Sequence, residues 1–231
     1  MAVTAASNGA HPNSIADRLI EASIRLLAAD GPSALKARTV AAEAGLSTMV
    51  VYNHFGGVPE LVAAVADRGF QGLEQAFEEC GRTDDPVVDL FSLALTTVRY
   101  ARMNPHLYDA MFGLSTRATY RPASSKGFRQ AGHSAAFRSA YRHITEACVR
   151  LADSSRVSTG DSAALAGSLW SLIHGYVTLE SAGHFTDWDD PVARVLLPMG
   201  VTICVGLGDD PDEARASHLT ALGRFADLVP R

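Results

Sequence analysis

The sequence predicts an all-α protein. Residues that start and end helices recur along the chain, and apolar residues repeat at intervals of three and four. The alternation of apolar and polar residues that strands require is absent. We expect about nine or ten helices in two groups. Residues 13–66 form a three-helix domain, and residues 67–231 form a larger helical bundle.

The composition is that of a protein with a substantial core. Of its 231 residues, 47% are hydrophobic and 19% are charged. No apolar run reaches the roughly 18–20 residues of a membrane span, so we expect no membrane partner. Residues 1–12 are small and polar, without a signal-peptide pattern, and are interpreted as a flexible arm. Cys80, Cys148 and Cys204 are far apart, which argues against disulfides and favours a cytoplasmic location.

The first helix has clear boundaries. Ser14 and Asp17 have the spacing of a helix cap, with the hydroxyl placed to accept from a first-turn N–H. Gly31-Pro32 predicts its end. One face of this helix carries the apolar residues Ile15, Leu19, Ala22, Leu26 and Ala29.

The bundle contains further helix starts and apolar stripes. Because Asp can cap a helix and Pro suits its first turn, three pairs predict helix starts: Asp85-Pro86, Asp190-Pro191 and Asp210-Pro211. Asn104-Pro105 predicts an end, and residues 115–127 read as a flexible connection. The last two stripes are Phe137, Tyr141, Ile144, Cys148 and Leu151, then Leu165, Leu169, Leu172, Tyr176 and Leu179.

The pattern of residues 36–55 predicts two short helices joined by a tight turn. A first helix can extend from Lys36 to Ala44, and Gly45 permits a sharp turn because glycine tolerates a positive φ. Ser47 or Thr48 would cap the second helix. Helix, glycine turn and second helix is the pattern of a helix-turn-helix, whose second helix enters the major groove of DNA.

The same stretch resembles the tetracycline-repressor family. The resemblance covers residues 14–65 and is specific, because several unusual residues agree in order and spacing. It implies an amino-terminal DNA-binding domain, a carboxy-terminal ligand-binding and dimerisation domain, and palindromic operator DNA as partner. The matching residues are Val40-Ala41-Ala42-Glu43-Ala44-Gly45-Leu46-Ser47, Val51-Tyr52-Asn53-His54-Phe55 and Glu60-Leu61.

The resemblance also implies which residues contact DNA. The recognition helix begins at Thr48, and the turn at Gly57 leads into a helix whose free N–H groups could meet a phosphate. The residues expected to contact DNA are Lys36, Arg38, Thr39, Ser47, Thr48, Met49, Val50, Tyr52, Asn53, His54 and Gly57. Two packed helices without DNA binding would share the same apolar core, so exposed polar residues at 52–54 discriminate the two interpretations.

Charge is the main argument against this interpretation. The net charge is −5. The family usually has Lys where this chain has Val58-Pro59, so a phosphate contact is expected to be lost. Because Thr48, Met49 and Val50 offer few hydrogen-bonding groups, base readout would depend on thymine methyl groups or DNA shape. Residues 13–70 contain five basic side chains, Arg18, Arg25, Lys36, Arg38 and Arg68, against six acidic ones, Asp17, Glu21, Asp30, Glu43, Glu60 and Asp67.

The carboxy-terminal residues resemble one branch of the family, which has a Trp-His-Gly cluster. The matching stretches are 169–176 and 181–185. The resemblance implies a homodimer through the last two long helices, at about 161–183 and 191–207. The second of these is apolar nearly all round, so it must be covered on every side, and Pro198 should kink it.

Aromatic and sulfur-containing residues of the bundle predict a pocket for a small, largely apolar effector. For each residue alone, an ordinary core position is the alternative. His174 is the expected hydrogen-bonding group of this pocket. The predicted lining is Tyr100, Met103, Tyr108, Phe112, Phe128, Phe137, Tyr141, Trp170 and His174.

We predict a transcriptional regulator, with repression as the family default and no cofactor, metal or catalytic residue. A hydrolase is the first alternative, because Gly132 to Ala136 resembles a nucleophile elbow around Ser134, but no strand precedes it. Glu180 and His184 share a helical face, yet a third metal ligand is missing and a salt-bridged or capping pair is favoured. A helical ligand-binding protein that has lost DNA binding is the remaining alternative.

Overall fold

The computed structural model describes residues 14–113, 134–158, 160–225 and 228. This part of the chain contains ten α-helices and no strand, which confirms the predicted fold class. The predicted arm at 1–12 and the connection at 115–127 lie outside the described residues. The helices are α1 (Ile15–Asp30), α2 (Ala37–Glu43), α3 (Thr48–Phe55), α4 (Val58–Cys80), α5 (Pro86–Met103), α6 (Pro105–Phe112), α7 (Ala135–Asp153), α8 (Ser162–Ser181), α9 (Leu197–Gly206) and α10 (Pro211–Gly223).

The predicted caps at Ser14, Asp85 and Asp210 are confirmed, whereas Ser47 lies at the N-cap of α3 without a side-chain hydrogen bond to its first turn. The Ser14 hydroxyl accepts from the Asp17 N–H at 3.0 Å, and α1 ends at Gly31, whose φ is 72°. Asp85 and Asp210 each accept from two first-turn N–H groups of the helices that follow them. Short polar side chains beside Pro therefore set the start of α5 and α10, as the local sequence predicts.

Pro198 is accommodated by a change of helical pitch. Residues Val192–Leu196 form a π-helical segment directly before α9, and the Leu197 N–H donates to the Val192 carbonyl, five residues back. Pro198 has no N–H, so a regular helix would lose one hydrogen bond at this position. The wider turn alters the hydrogen-bond register just ahead of the proline, where the sequence predicts a kink.

Helix α4 connects the two groups of helices. It runs without a break through the predicted boundary at residues 66 and 67. It packs on α1 and α3 on one side and on α5, α6 and α7 on the other. Leu61, Val65, Phe70, Leu73 and Phe77 are all buried along it. The hydrophobic core is therefore continuous from the amino-terminal helices into the bundle.

A second apolar cluster lies in the bundle, among α5, α8, α9 and α10. Polar groups close one end of it. Arg156 donates to both oxygens of Asp209, at 3.0 and 2.7 Å, and to Asp85 at 3.0 Å. Arg150 pairs with the buried Asp89 of α5. These ion pairs join α5 to α7 and to the residues that flank α9 and α10.

None of the described helices combines the length and the apolar composition that a membrane span requires.

Candidate DNA-binding surface and ligand cavity

The turn between α2 and α3 depends on Gly45 and Arg18. Gly45 has a φ of 66°, in the left-handed region that favours glycine. Its N–H donates to the Ala42 carbonyl at 3.0 Å. The Arg18 guanidinium donates to the Ala44 carbonyl at 2.7 Å and so satisfies the carboxy-terminal end of α2. The two short helices are thereby held at a fixed angle.

Helix α3 has a buried face and an exposed face. Val51 is fully buried, and Val50 and Phe55 are half-buried against the core. Met49 is 65% exposed and Tyr52 is 51% exposed, which is unusual for side chains of this size. The exposed side chains of the helix and its cap are Ser47, Thr48, Met49, Tyr52, Asn53 and His54. The residues that distinguish a recognition helix from a plain packed helix therefore face solvent.

The start of α2 contributes two exposed cations. Lys36 and Arg38 are exposed, and neither forms an ion pair within the described residues. The Thr39 hydroxyl is occupied within the protein, because it donates to the Ala34 and Lys36 carbonyls and accepts from the Lys36 N–H. Of the predicted phosphate contacts before the turn, Lys36 and Arg38 are therefore the available ones.

The other basic residues between positions 13 and 70 are engaged in contacts with the protein itself. Besides Arg18, Arg25 pairs with Glu43 at 2.8 Å, and Arg68 pairs with Asp17 and Glu21. The sequence predicts few positive charges in this region, and these contacts leave still fewer of them available to bind DNA.

Gly57 is placed unfavourably for the predicted phosphate contact. It is buried at the start of α4, and a Cβ added to it would lie 3.0 Å from a carboxylate oxygen of Glu60. Pro59 offers no N–H in this first turn. A negative side chain and a buried backbone both oppose a phosphate here, so the structure does not support Gly57 as a DNA contact.

Six of the nine predicted pocket residues lie together, but they pack against one another as an aromatic cluster. The cluster consists of Tyr108, Phe112, Phe137, Tyr141, Trp170 and His174. The Tyr100 hydroxyl lies elsewhere and donates to the Gly69 carbonyl of α4 at 2.8 Å. Met103 is 74% exposed at the end of α5, which contradicts its predicted place in the pocket. Helix α5 ends at Met103, so its side chain lies beyond the core. Phe128 lies outside the described residues.

His174 lies at the centre of this aromatic cluster. Its ring centroid is 4.1 Å from that of Phe112 and 4.2 Å from that of Trp170. Its Nδ1 is hydrogen-bonded to the Tyr108 hydroxyl, while its buried Nε2 has no partner within the described part of the chain. Burial lowers the pKa of His174 to about 3, so the imidazole is neutral at physiological pH.

The cavity of the bundle lies beside this cluster. It has a volume of about 60 Å³ and is lined by residues of α5, α7, α8, the π segment, α9 and α10. Of the predicted pocket residues that the structure describes, Trp170 is the one that lines it. Sequence reasoning missed the other walls, because they are mostly ordinary Leu, Ile and Val residues from helices that are distant along the chain. The aromatic residues of the sequence therefore predicted the packed cluster but not the cavity beside it.

The residues proposed for a hydrolase site and for a metal site form structural contacts instead. Ser134 caps α7 by accepting from the Phe137 N–H at 3.0 Å, and residues 132 and 133 lie outside the described residues. Glu180 accepts from Arg102 at 2.7 and 3.1 Å, so it forms a salt bridge with that residue and not with His184.

One further group of possible metal ligands is present among the described residues. Ligand atoms of Glu74, Glu78 and His143 lie within 4.8 Å of one another. Glu78 is exposed and the other two are half-buried. Because carboxylates converge in this way at many surfaces without a metal, we assign no metal site here.

Comparisons with known proteins agree with this geometry. Residues 19–65 match the family model described as bacterial regulatory proteins of the tetR family. Residues 90–199 match the model described as a tetracyclin repressor-like carboxy-terminal domain. Together the two models cover more than half of the chain, including α3 and most of the bundle. No curated protein sequence matches the chain.

Solved structures share the fold at low sequence identity. A protein of unknown function from Rhodococcus sp. RHA1 superposes with a TM-score of 0.68 at 24% identity, covering 88% of this chain and 100% of its own. The fatty acid degradation regulator FadR from Bacillus halodurans gives 0.62 at 12% identity, with 83% and 98% covered. The TetR family transcriptional regulator PfmR from Thermus thermophilus gives 0.54 at 19% identity, with 91% and 96% covered.

Proposed function

Because the chain belongs to the tetracycline-repressor family of DNA-binding transcriptional regulators, we propose that it is a repressor released from its operator by a small molecule. In this proposal a homodimer binds a palindromic operator through the two α3 helices. Binding of an effector in the bundle changes their separation. Helix α4 is the physical connection, because it packs against α3 at one end and against the bundle at the other.

The exposed face of α3 carries this proposal. Tyr52, Asn53 and His54 have donors and acceptors that suit phosphates and base edges, and all three face solvent. Met49 is 65% exposed near the start of the helix, where the side chains of a recognition helix approach the bases. An apolar side chain there suits the methyl group of thymine. A helix that served packing alone would not need this surface.

The outer faces of α8 and α9 support dimerisation. They are exposed in the single chain and consist mainly of small residues, which allow two helices to approach closely. On α8 these are Ala164, Ser168, Ser171, Gly175 and Thr178, and on α9 they are Pro198, Thr202 and Gly206. A two-fold dimer through these faces has a functional reason, because it can place two recognition helices one DNA turn apart, about 34 Å.

Selection of bound DNA from a random pool tests the proposal. We expect a palindromic site with two half-sites whose centres are about one helical turn apart. The double variant Tyr52→Ala, Asn53→Ala should select no site while keeping the thermal stability of the wild type, since both side chains are exposed. Failure of the wild-type protein to enrich any sequence would contradict DNA recognition and favour a ligand-binding protein that has lost this function.

Release by a ligand is tested on the selected site. A panel of small molecules is screened first for stabilisation of the protein and then for loss of operator binding. Coupling of about 1–3 kcal/mol would change operator affinity about 5- to 150-fold. If every stabilising compound left operator affinity unchanged, the chain would be a regulator without the proposed induction.

A further inference from the structure

The cavity of the bundle has walls that are almost entirely apolar. Leu90 and Phe91 of α5, Leu169 and Ile173 of α8, and Ile203 of α9 are typical. No Lys, Arg, Asp or Glu is among the described residues that line it. An ion would therefore lose its hydration on entry without gaining a partner of opposite charge, which is strongly unfavourable. The cavity selects for uncharged molecules.

Four of the side chains that line it can form hydrogen bonds: Thr97, Trp170, Cys204 and His218. The Thr97 hydroxyl already donates to the Leu93 carbonyl at 2.9 Å. His218 of α10 is only 2% exposed, and its Nδ1 lies 2.7 Å from the Ala214 carbonyl. Since a carbonyl can only accept, Nδ1 must carry the proton. The other ring nitrogen, Nε2, is then a bare acceptor, and it makes no hydrogen bond within the described residues.

The position of Nε2 is defined by Gly200 of α9. A Cβ added to Gly200 would lie 2.4 Å from Nε2, so any larger residue would displace the imidazole. Phe91 covers the ring on another side, with a centroid distance of 4.5 Å. Burial lowers the pKa of His218, which keeps the ring neutral, although the Ala214 carbonyl and Asp209 act in the opposite direction. The cavity thus contains a fixed, neutral acceptor in an apolar surrounding.

We propose that this cavity binds a small, uncharged and largely apolar molecule that donates one hydrogen bond, from a hydroxyl or N–H group, to Nε2 of His218. The inference rests on the proposed function, because it names the chemical class of the effector. It places the effector beside the aromatic cluster around His174, with Trp170 as the wall between the two. Carboxylates are excluded from the class, since the described lining has no cation to offset the loss of their hydration and the bare Nε2 would repel them.

This location also gives a route to regulation. Leu196, Gly200, Ile203 and Leu207 face the cavity from the π segment, α9 and its carboxy-terminal end. The outer face of the same helix is the proposed dimer contact. A ligand that fills the cavity presses on the inner face of α9 and alters the pairing of the two subunits. The same class of ligand should therefore change both stability and operator affinity.

Matched probes test the chemistry on the full chain. The three probes are 1-hexanol, its isomer 1-methoxypentane, which cannot donate a hydrogen bond, and hexanoate. Binding is measured by titration calorimetry and by the 15N chemical shift of His218 Nε2. We expect the alcohol to bind on the order of tenfold more tightly than the ether and to shift the Nε2 signal, and hexanoate not to bind. Equal binding of alcohol and ether, or tighter binding of hexanoate, would overturn the proposal.

Two variants separate recognition from packing. His218→Phe keeps an aromatic ring and removes the acceptor, so the ether should still bind while the preference for the alcohol disappears. Thr97→Val is the control in the same wall. It removes the hydroxyl oxygen that could also accept a hydrogen bond, and the preference should remain if Nε2 of His218 is the acceptor. If Thr97→Val removes the preference, or His218→Phe retains it, the assignment to His218 is wrong. Should His218→Phe fail to fold, the Nε2 shift in the wild type decides.

Operator binding, measured in parallel, distinguishes the two proposals. If the protein selects no DNA but prefers the alcohol through His218, the proposed function fails and the ligand class stands. If it binds an operator but does not distinguish the alcohol from the ether, the ligand class fails and DNA recognition stands.

Discussion

The amino-terminal helices and the bundle differ in how deeply their arginine–carboxylate pairs are buried. In the first region, Arg25 pairs with Glu43 at the surface, where both side chains are more than one-third exposed. In the bundle, the Arg156 side chain is 18% exposed and its partner Asp209 is 1% exposed. Arg156 also reaches Asp85, so one guanidinium joins two acidic residues that are distant along the chain.

This difference shows what each region has to do. The amino-terminal domain engages most of its cations locally and leaves Lys36, Arg38 and the exposed face of α3 available for a partner. The bundle uses its buried charges to join helices around a cavity, where an unpaired charge would be costly. One region is organised around its surface, and the other is organised around its interior.

The largest effect is expected when the buried network is broken. Arg156→Met leaves the Asp209 carboxylate buried without its partner and should lower the free energy of unfolding by about 3–5 kcal/mol. The matched variant Arg25→Met removes an exposed pair and should cost no more than about 1 kcal/mol. Urea unfolding at one fixed protein concentration measures both, since stability of a dimer depends on concentration. Similar losses in the two variants would remove the contrast between the regions.

The next effect concerns function at the exposed surface. Asn53→Ala should weaken operator binding by about 10- to 100-fold, because an amide that contacts a base edge contributes about 1–3 kcal/mol of discrimination. Its melting temperature should match the wild type, since Asn53 is exposed. Gln71→Ala, an exposed substitution on α4, is the control and should change neither property. Loss of stability in Asn53→Ala would show that this residue serves packing.

The two regions also differ in how far the sequence predicts them. The turn at Gly45, the cap at Ser14 and the buried Val51 depend on neighbours within a few residues, so the local pattern was sufficient. The exposed face of α3 followed from the same periodicity. The local pattern was not sufficient at Gly57. Its position in the motif suggested a phosphate contact, but the glycine is buried and the Glu60 carboxylate lies beside it.

The cavity could not be predicted in this way. Its walls bring together Leu90, Leu169 and Ile203 from helices that are distant in sequence, and each alone reads as ordinary core. The sequence did not identify His218 as a binding residue, because its role depends on contacts with Gly200 and Phe91, which only the folded structure shows. Aromatic composition predicted a pocket lined by His174 and Trp170, yet composition cannot distinguish a filled cluster from an empty space beside it.

A third measurement quantifies the scarcity of charge at the DNA-binding surface. Two available cations in each subunit, Lys36 and Arg38, give four in a dimer. The slope of log K against log salt concentration should therefore be roughly −3 to −4. Lys36→Gln removes one cation from each subunit and should reduce the slope by about 2. A wild-type slope near −10 would mean that many more phosphates are neutralised than this surface allows.

The smallest effect is the pH dependence of the bundle, which Asp85 should control. Burial alone would raise the pKa of Asp85, but hydrogen bonds from Ser217 and from the Val87 and Val88 N–H groups, together with Arg156, hold it below its ordinary value of 3.8. A carboxyl whose pKa is lower in the folded state stabilises the fold above its unfolded pKa. That stability is lost as the pH falls through the folded pKa.

Asp85→Asn isolates this contribution, because Asn can still cap α5 while it lacks the charge that pairs with Arg156. At pH 7 the variant should be less stable than the wild type by about 1 kcal/mol. The difference should shrink as the pH falls below about 4, because the unfolded carboxyl takes up its proton there and the folded carboxyl does so only at lower pH. Ser217→Ala removes one of the hydrogen bonds that lower the pKa of Asp85, so its acid transition should move to higher pH. Urea unfolding across this pH range measures all three proteins, and a difference that stays constant down to about pH 3 would show that another group controls the acid sensitivity of the bundle.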